Sequence, residues 1–150
     1  VTLSENRQRV PVDVLKRKIS VLFSMIEKKM ISSRYYKKPA AERIQFIAFP
    51  EHINDSVNIP HYHMILKFPE SIKTRFNYKS EFKHHLEKFY SKLVTPTYEA
   101  PDKNFPSERI VKNRYCDVQV VTKKNIFYAT KYLNRPENEQ HIIFNNNPLK

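Results

Sequence analysis

Two histidines one residue apart, His61 and His63, are the side chains best suited by type and spacing to hold a metal ion. On a β-strand, residues i and i+2 leave the same face, so the two imidazoles would stand side by side. Tyr62 between them would point to the opposite face, toward the core. Neutral imidazole is a good ligand for borderline divalent metals. Taken alone, a His-x-His pair fits an incidental strand pair as well as it fits a metal site. A metal on two imidazoles that is to handle phosphate needs a third, preferably hard, ligand. Glu51, His52 and Asp55 lie just upstream. By themselves these three read as solvated loop residues.

A second reactive group lies further along the chain. Tyr128, Lys131, Tyr132 and Arg135 occur at i, i+3, i+4 and i+7, which is one face of a helix. Ile126, Ala129, Thr130 and Leu133 fall nearer the other face. A phenol with a pKa near about 10 is a poor nucleophile. A cation one turn away, or a polarised substrate, would help it attack. The same pattern fits an ordinary amphipathic helix whose tyrosines pack and whose cations face water. His84 and His85 sit among Lys and Glu and read as surface residues, at most phosphate contacts. Tyr35 and Tyr36 suit either base stacking or ordinary packing.

The elements that must position these residues follow from periodicity. Residues 11–32 read as a helix, with Pro11 in the first turn, Asp13 at the positive end, and an apolar face of Val14, Leu15, Val21, Leu22, Met25 and Ile26. Residues 33–42 read as a basic loop. Residues 43–50 and 60–68 read as two strands of an antiparallel hairpin, joined through a polar bridge over 51–59. Residues 78–93 read as an amphipathic helix with Phe82, Leu86, Phe89, Tyr90 and Leu93 inside. A Pro-rich irregular stretch covers 95–109, and 114–121 alternate as a strand. Thr122 caps a last helix over 123–134. An extra edge strand is compatible with the tail beyond Pro136. Helices beside an antiparallel sheet make an α+β domain.

Composition narrows the function. The chain has 27 Lys and Arg against 15 Asp and Glu, a net charge of +12 over 150 residues. A domain this basic most often meets a polyanion. Glycine is absent, which excludes glycine-rich phosphate loops, dinucleotide fingerprints and nucleophile elbows in this segment. Cys116 is the sole cysteine, so no intramolecular disulfide and no Cys-rich zinc site can form. No stretch reaches the length of a membrane span, and the N-terminus lacks a signal-peptide pattern. The expected organisation is a polar N-terminal extension, 1–10, followed by one domain, 11–150. The start at Val1 fits excision from a longer protein.

Together the motifs resemble the HUH endonucleases, and within them the initiators of rolling-circle replication. The metal motif of that family, His-hydrophobe-His on a central strand, is matched by Pro60-His61-Tyr62-His63-Met64-Ile65-Leu66. The nucleophile motif Tyr-x-x-Lys-Tyr is matched by Tyr128-Ala129-Thr130-Lys131-Tyr132. Their order, His motif before tyrosine motif, is similar to that of replication initiators of single-stranded DNA phages and plasmids and of small transposases. Relaxases have the reverse order. The resemblance covers residues 43–135.

It implies an HUH-type palm, related to RNA-recognition folds, with an antiparallel sheet flanked by helices. It implies Mg²⁺ or Mn²⁺ on His61, His63 and Glu51, with His52 and Asp55 as alternatives to Glu51. It also implies a site-specific nick in single-stranded origin DNA by Tyr128, with Tyr132 as second nucleophile and Lys131 stabilising phosphate charge. The product would be a 5′-phosphotyrosine with a free 3′-hydroxyl. Implied partners are single-stranded DNA, a host helicase and a host polymerase, in the cytoplasm of a phage or plasmid host, with no membrane. A transposase or relaxase of the same chemistry, and a non-catalytic nucleic-acid-binding α+β module, are the competing expectations.

Overall fold

The computed structural model describes residues 1–4, 11–51, 61–93, 116–119, 123 and 143–144. These form an α+β arrangement, as expected. The antiparallel body of the sheet is β1 (Thr2–Ser4), β3 (His61–Lys67) and β2 (Gln45–Glu51). Two short strands flank it, β4 (Cys116–Asp117) beside β1 and β5 (Ile143–Phe144) beside β2. The order is β4-β1-β3-β2-β5, with every neighbouring pair antiparallel. Strand β3 is therefore central, and β1 and β2 bracket it. Among the described residues the helices with both ends placed are α1 (Val12–Met30), α2 (Glu70–Lys73) and α3 (Tyr78–Leu93).

Period-two alternation decides which side chains meet the helices. Leu3, Phe46, Ala48, Tyr62 and Met64 are buried in one core with residues of α1 and α3. The register pairs Leu3 with Tyr62, Ala48 with Met64 and Phe46 with Leu66, and directly opposed residues share a face. The Phe23 ring of α1 lies 4.2 Å from that of Phe46 and ties helix to sheet. Phe68 meets Phe82 of α3 edge-on at 4.9 Å. The opposite face of the sheet carries Thr2, Phe49, Glu51, His61 and His63.

Two expectations are corrected, and two short features are added to the reading. Residues 2–4, assigned to a polar extension, form β1, and Leu3 is 2 % exposed. A three-residue strand is too short to display a period, and its apolar content is a single leucine. On α1, Val14 and Val21 are exposed, and the buried stripe is Leu15, Ile19, Leu22, Phe23, Ile26 and Met30. That stripe follows the i, i+4, i+7, i+8 spacing of a helix, whereas Val14 and Val21 lie about 100° off it. Within the basic loop, Tyr35–Lys37 and Ala40–Glu42 are 3₁₀ turns. Helix α2 was not foreseen because one turn carries no periodicity. Its only cues are Pro69 at the N-cap and Glu70 in the first turn. Asn77, at φ 64°, turns the chain into α3 without a glycine. Asparagine tolerates this left-handed conformation better than most residues.

A buried ion pair fixes where β2 begins. Glu27 of α1 is 1 % exposed. Its carboxylate accepts from Arg43 Nε at 3.2 Å, Arg43 Nη2 at 2.9 Å and the Ile44 backbone N–H at 3.1 Å. These bonds to Glu27 raise the Arg43 pKa further and keep the guanidinium charged. The guanidinium also lies over the Tyr35 ring, 5.3 Å from its centroid. Removing Glu27 leaves the part-buried Arg43 guanidinium and the buried Ile44 N–H without their acceptor, so Glu27→Ala should cost about 1.5–3 kcal/mol in urea unfolding. The apolar double variant Glu27→Leu/Arg43→Met should recover a large part of that loss, because it removes both charges together.

Candidate metal centre

The His-bearing face of the sheet is built from three strands. In the ladder, Glu51 of β2 stands opposite His61, Phe49 opposite His63, and Thr2 of β1 opposite His63 on the other side. The two imidazoles and the carboxylate therefore converge without any loop positioning them. One carboxylate oxygen, Glu51 Oε2, lies 2.6 Å from His61 Nε2 and 2.7 Å from His63 Nε2. The His rings are nearly perpendicular, with centroids 5.1 Å apart. On its far side, His63 Nδ1 is 3.1 Å from Thr2 Oγ1. Phe49, 2 % exposed, is an apolar neighbour on the same face.

Glu51 is the deepest of the three, at 4 % exposure, and the His61 side chain is the most open, at 21 %. Burial would raise the pKa of the Glu51 carboxyl. Hydrogen bonds from His63 and His61, and the charge of both rings, outweigh that, and the net direction is downward. The carboxylate thus remains ionised, as a ligand must. A buried carboxylate persists only when paired or metal-bound.

The three residues each offer one ligand atom, and these atoms lie within 4.8 Å of one another. An octahedral cation with bonds of about 2.1 Å holds neighbouring donors roughly 3 Å apart, close to the spacing around Glu51 Oε2. The group can hold a metal ion. Its chemistry, two imidazoles and one carboxylate, suits first-row divalent ions, Mn²⁺ included, better than Mg²⁺, which is held mainly by oxygen ligands.

Among the sequence-derived candidates, the structure brings together His61, His63 and Glu51. His52 and Asp55 lie outside the described residues, as do Tyr128, Lys131, Tyr132 and Arg135. Of the expected last helix only Lys123 is described, and it is helical. Tyr62 lies on the opposite face at 1 % exposure, as its position between the histidines requires. Burial, with Asp13 nearby, pushes its phenol pKa well up, which removes it as a nucleophile. His84 is exposed, but His85 is half-buried and its ring stacks on Phe89 at 5.6 Å. It is part of the packing rather than a free surface residue. Thr2 and Phe49 were not singled out from the sequence. Thr2 is visible only once β1 is known to pair with β3.

No described helix is long and apolar enough to cross a membrane. Comparison with protein-family models, curated proteins and solved structures gives no match.

Two measurements check the site. Mn²⁺ should bind the chain more tightly than Mg²⁺, and Ala replacement of Glu51, His61 or His63 should each weaken it by more than about 100-fold, beyond the loss typical of an outer partner. Because protonating an imidazole removes its lone pair, binding should weaken as pH falls, and titration should show proton release on metal uptake. Tyr62 offers an independent control. Its hydroxyl is buried with no hydrogen-bond partner among the described residues, so Tyr62→Phe should raise stability, by about 1 kcal/mol in thermal or urea unfolding, without changing metal affinity.

Proposed function

We propose that this chain is a metal-dependent nicking and joining domain of the HUH type, acting on single-stranded DNA to initiate rolling-circle replication. The observation that carries the reading is the convergence of Glu51, His61 and His63 on the central and neighbouring strands of an antiparallel sheet. The motif Tyr128-x-x-Lys131-Tyr132 follows in the same order as in that family. The net charge of +12 supports a polyanionic substrate.

A divalent ion on the three ligands would draw charge from the scissile phosphate and favour its displacement. The protein's own groups then carry the rest. The hydroxyl oxygen of Tyr128 attacks phosphorus and loses its proton. The bond to the 3′-oxygen breaks, and that oxygen leaves as a hydroxyl after taking up a proton. The 5′-phosphate remains esterified to the tyrosine, so one phosphodiester is exchanged for another and no nucleotide hydrolysis is required. Attack by a new 3′-hydroxyl reverses the exchange and joins strands. Lys131 sits three residues after Tyr128, at a spacing that suits it to stabilise phosphate charge or to lower the cost of ionising a phenol. On a helix, Tyr132 would follow Tyr128 by one turn, roughly 6 Å along the axis. That spacing suits a second nucleophile that takes over while the first holds DNA.

The test uses Mn²⁺ and a labelled pool of random-sequence single-stranded oligonucleotides, read by denaturing gel for a covalent product. Tyr128→Phe should lower adduct formation by more than about 10³-fold, with Tyr132→Phe affecting later strand transfer more than the first nick. Chelation should abolish the adduct and leave binding, and binding should fall steeply with added salt. DNA binding without any adduct, in Mn²⁺ and across the pool, would favour a non-catalytic nucleic-acid-binding module instead.

A further inference from the structure

Resting on the metal-centre reading of Glu51, His61 and His63, we propose that Thr2 is the positioning residue of that centre. Its hydroxyl sets which nitrogen of His63 faces the metal. A neutral imidazole has one lone pair and one N–H. The nitrogen directed at the cluster is Nε2, 2.7 Å from Glu51 Oε2. For Nε2 to donate a lone pair to a cation, the proton must sit on Nδ1. Nδ1 lies 3.1 Å from Thr2 Oγ1, which can accept it. Ligating histidines generally use their second nitrogen in this way, and the partner fixes both tautomer and ring orientation.

The hydroxyl does more than an acceptor-only group can. When a neutral His63 ring instead donates from Nε2 to Glu51 Oε2, its Nδ1 becomes an acceptor. A hydroxyl can rotate and donate to it. Thr2 thus serves His63 in either tautomer, and the ring need not turn when the proton changes place. The backbone holds Thr2 where it can do this. Thr2 stands directly opposite His63 in the ladder, flanked on its other side by Asp117, and the adjoining Leu3 is buried in the core. The geometry therefore gives β1 a purpose beyond completing the sheet. It supplies the outer half of a ligand whose inner half lies on β3.

The experiment compares the full chain with Thr2→Val, which keeps the shape and loses the hydroxyl, and Thr2→Ser, which keeps the hydroxyl and loses the methyl. Mn²⁺ affinity is read from free Mn²⁺ by electron paramagnetic resonance, and folding by thermal melts without metal. Thr2→Val should bind Mn²⁺ about 10-fold more weakly or worse, with Thr2→Ser restoring most of the affinity. In ¹⁵N-histidine spectra of the wild-type chain with Zn²⁺, His63 should carry its proton on Nδ1 and none on Nε2. This last measurement decides the matter even if Thr2→Val does not fold. Unchanged affinity in Thr2→Val, or equal weakness in Thr2→Ser, would overturn the role of the hydroxyl while leaving the metal centre standing. A His63 that keeps its proton on Nε2 would overturn ligation through that nitrogen, and this inference with it. A wild-type chain that binds no Mn²⁺ would overturn the metal centre itself, and this inference with it.

Discussion

A carboxylate almost wholly removed from water governs the working face of this sheet. Glu51 is 4 % exposed, and a charge so placed must be met by hydrogen-bond donors or by a cation. Its partners come from the strand beside it, in register, and not from a flexible loop. The register is therefore under unusual constraint. Sliding β2 by one residue against β3 would turn Glu51 onto the helix-covered face and leave the imidazoles facing Pro50 or the chain beyond. The same slip would carry Phe46 and Ala48 out of the core. Packing on one face and charge on the other thus demand the same alignment.

A second buried carboxylate, Glu27, acts at the opposite end of β2, and the contrast is instructive. Glu27 is met by a guanidinium in a two-pronged contact and by the N–H of Ile44. Those partners are a permanently charged side chain and a backbone N–H, and both hold the carboxylate in one place. Glu51 is met by imidazoles, whose protons are exchangeable. Two residues of one type, both nearly inaccessible to water, are set by their neighbours to different ends. One anchors β2 to α1, and the other is available for ligation. The choice of arginine or histidine as partner makes the difference.

How much of this was legible in the sequence depends on the length of each signal. The central hairpin and α3 were readable because seven-residue strands and a sixteen-residue helix repeat their pattern several times. The His-x-His pair was readable because the two-residue period of a strand puts both rings on one face. Glu51 was readable only as one of three candidates, since the choice depends on where β2 ends, and helix and strand ends carry the weakest local signal. Strand β1, the single turn α2 and the shifted stripe of α1 were not legible. The first two are too short to show a period. On α1, valines one position away from the stripe are as apolar as the residues that are buried. Thr2 was invisible for a different reason: its meaning lies in a partner 61 residues away.

That separation has a consequence for the order in which the domain assembles. Glu51 lies 10 and 12 residues from its two histidines, whereas Thr2 lies 61 residues from His63. Closing the longer loop costs about 1.4 kcal/mol more in chain entropy than closing the 12-residue one. The three inward-facing donors belong to a local hairpin, the kind of unit that forms early, and β1 arrives as a late, non-local addition to its open edge. During synthesis this order is reversed in time, since β1 emerges first and waits for its template. Strand β1 is thus the last piece of the centre to settle, although it is made before β2 and β3.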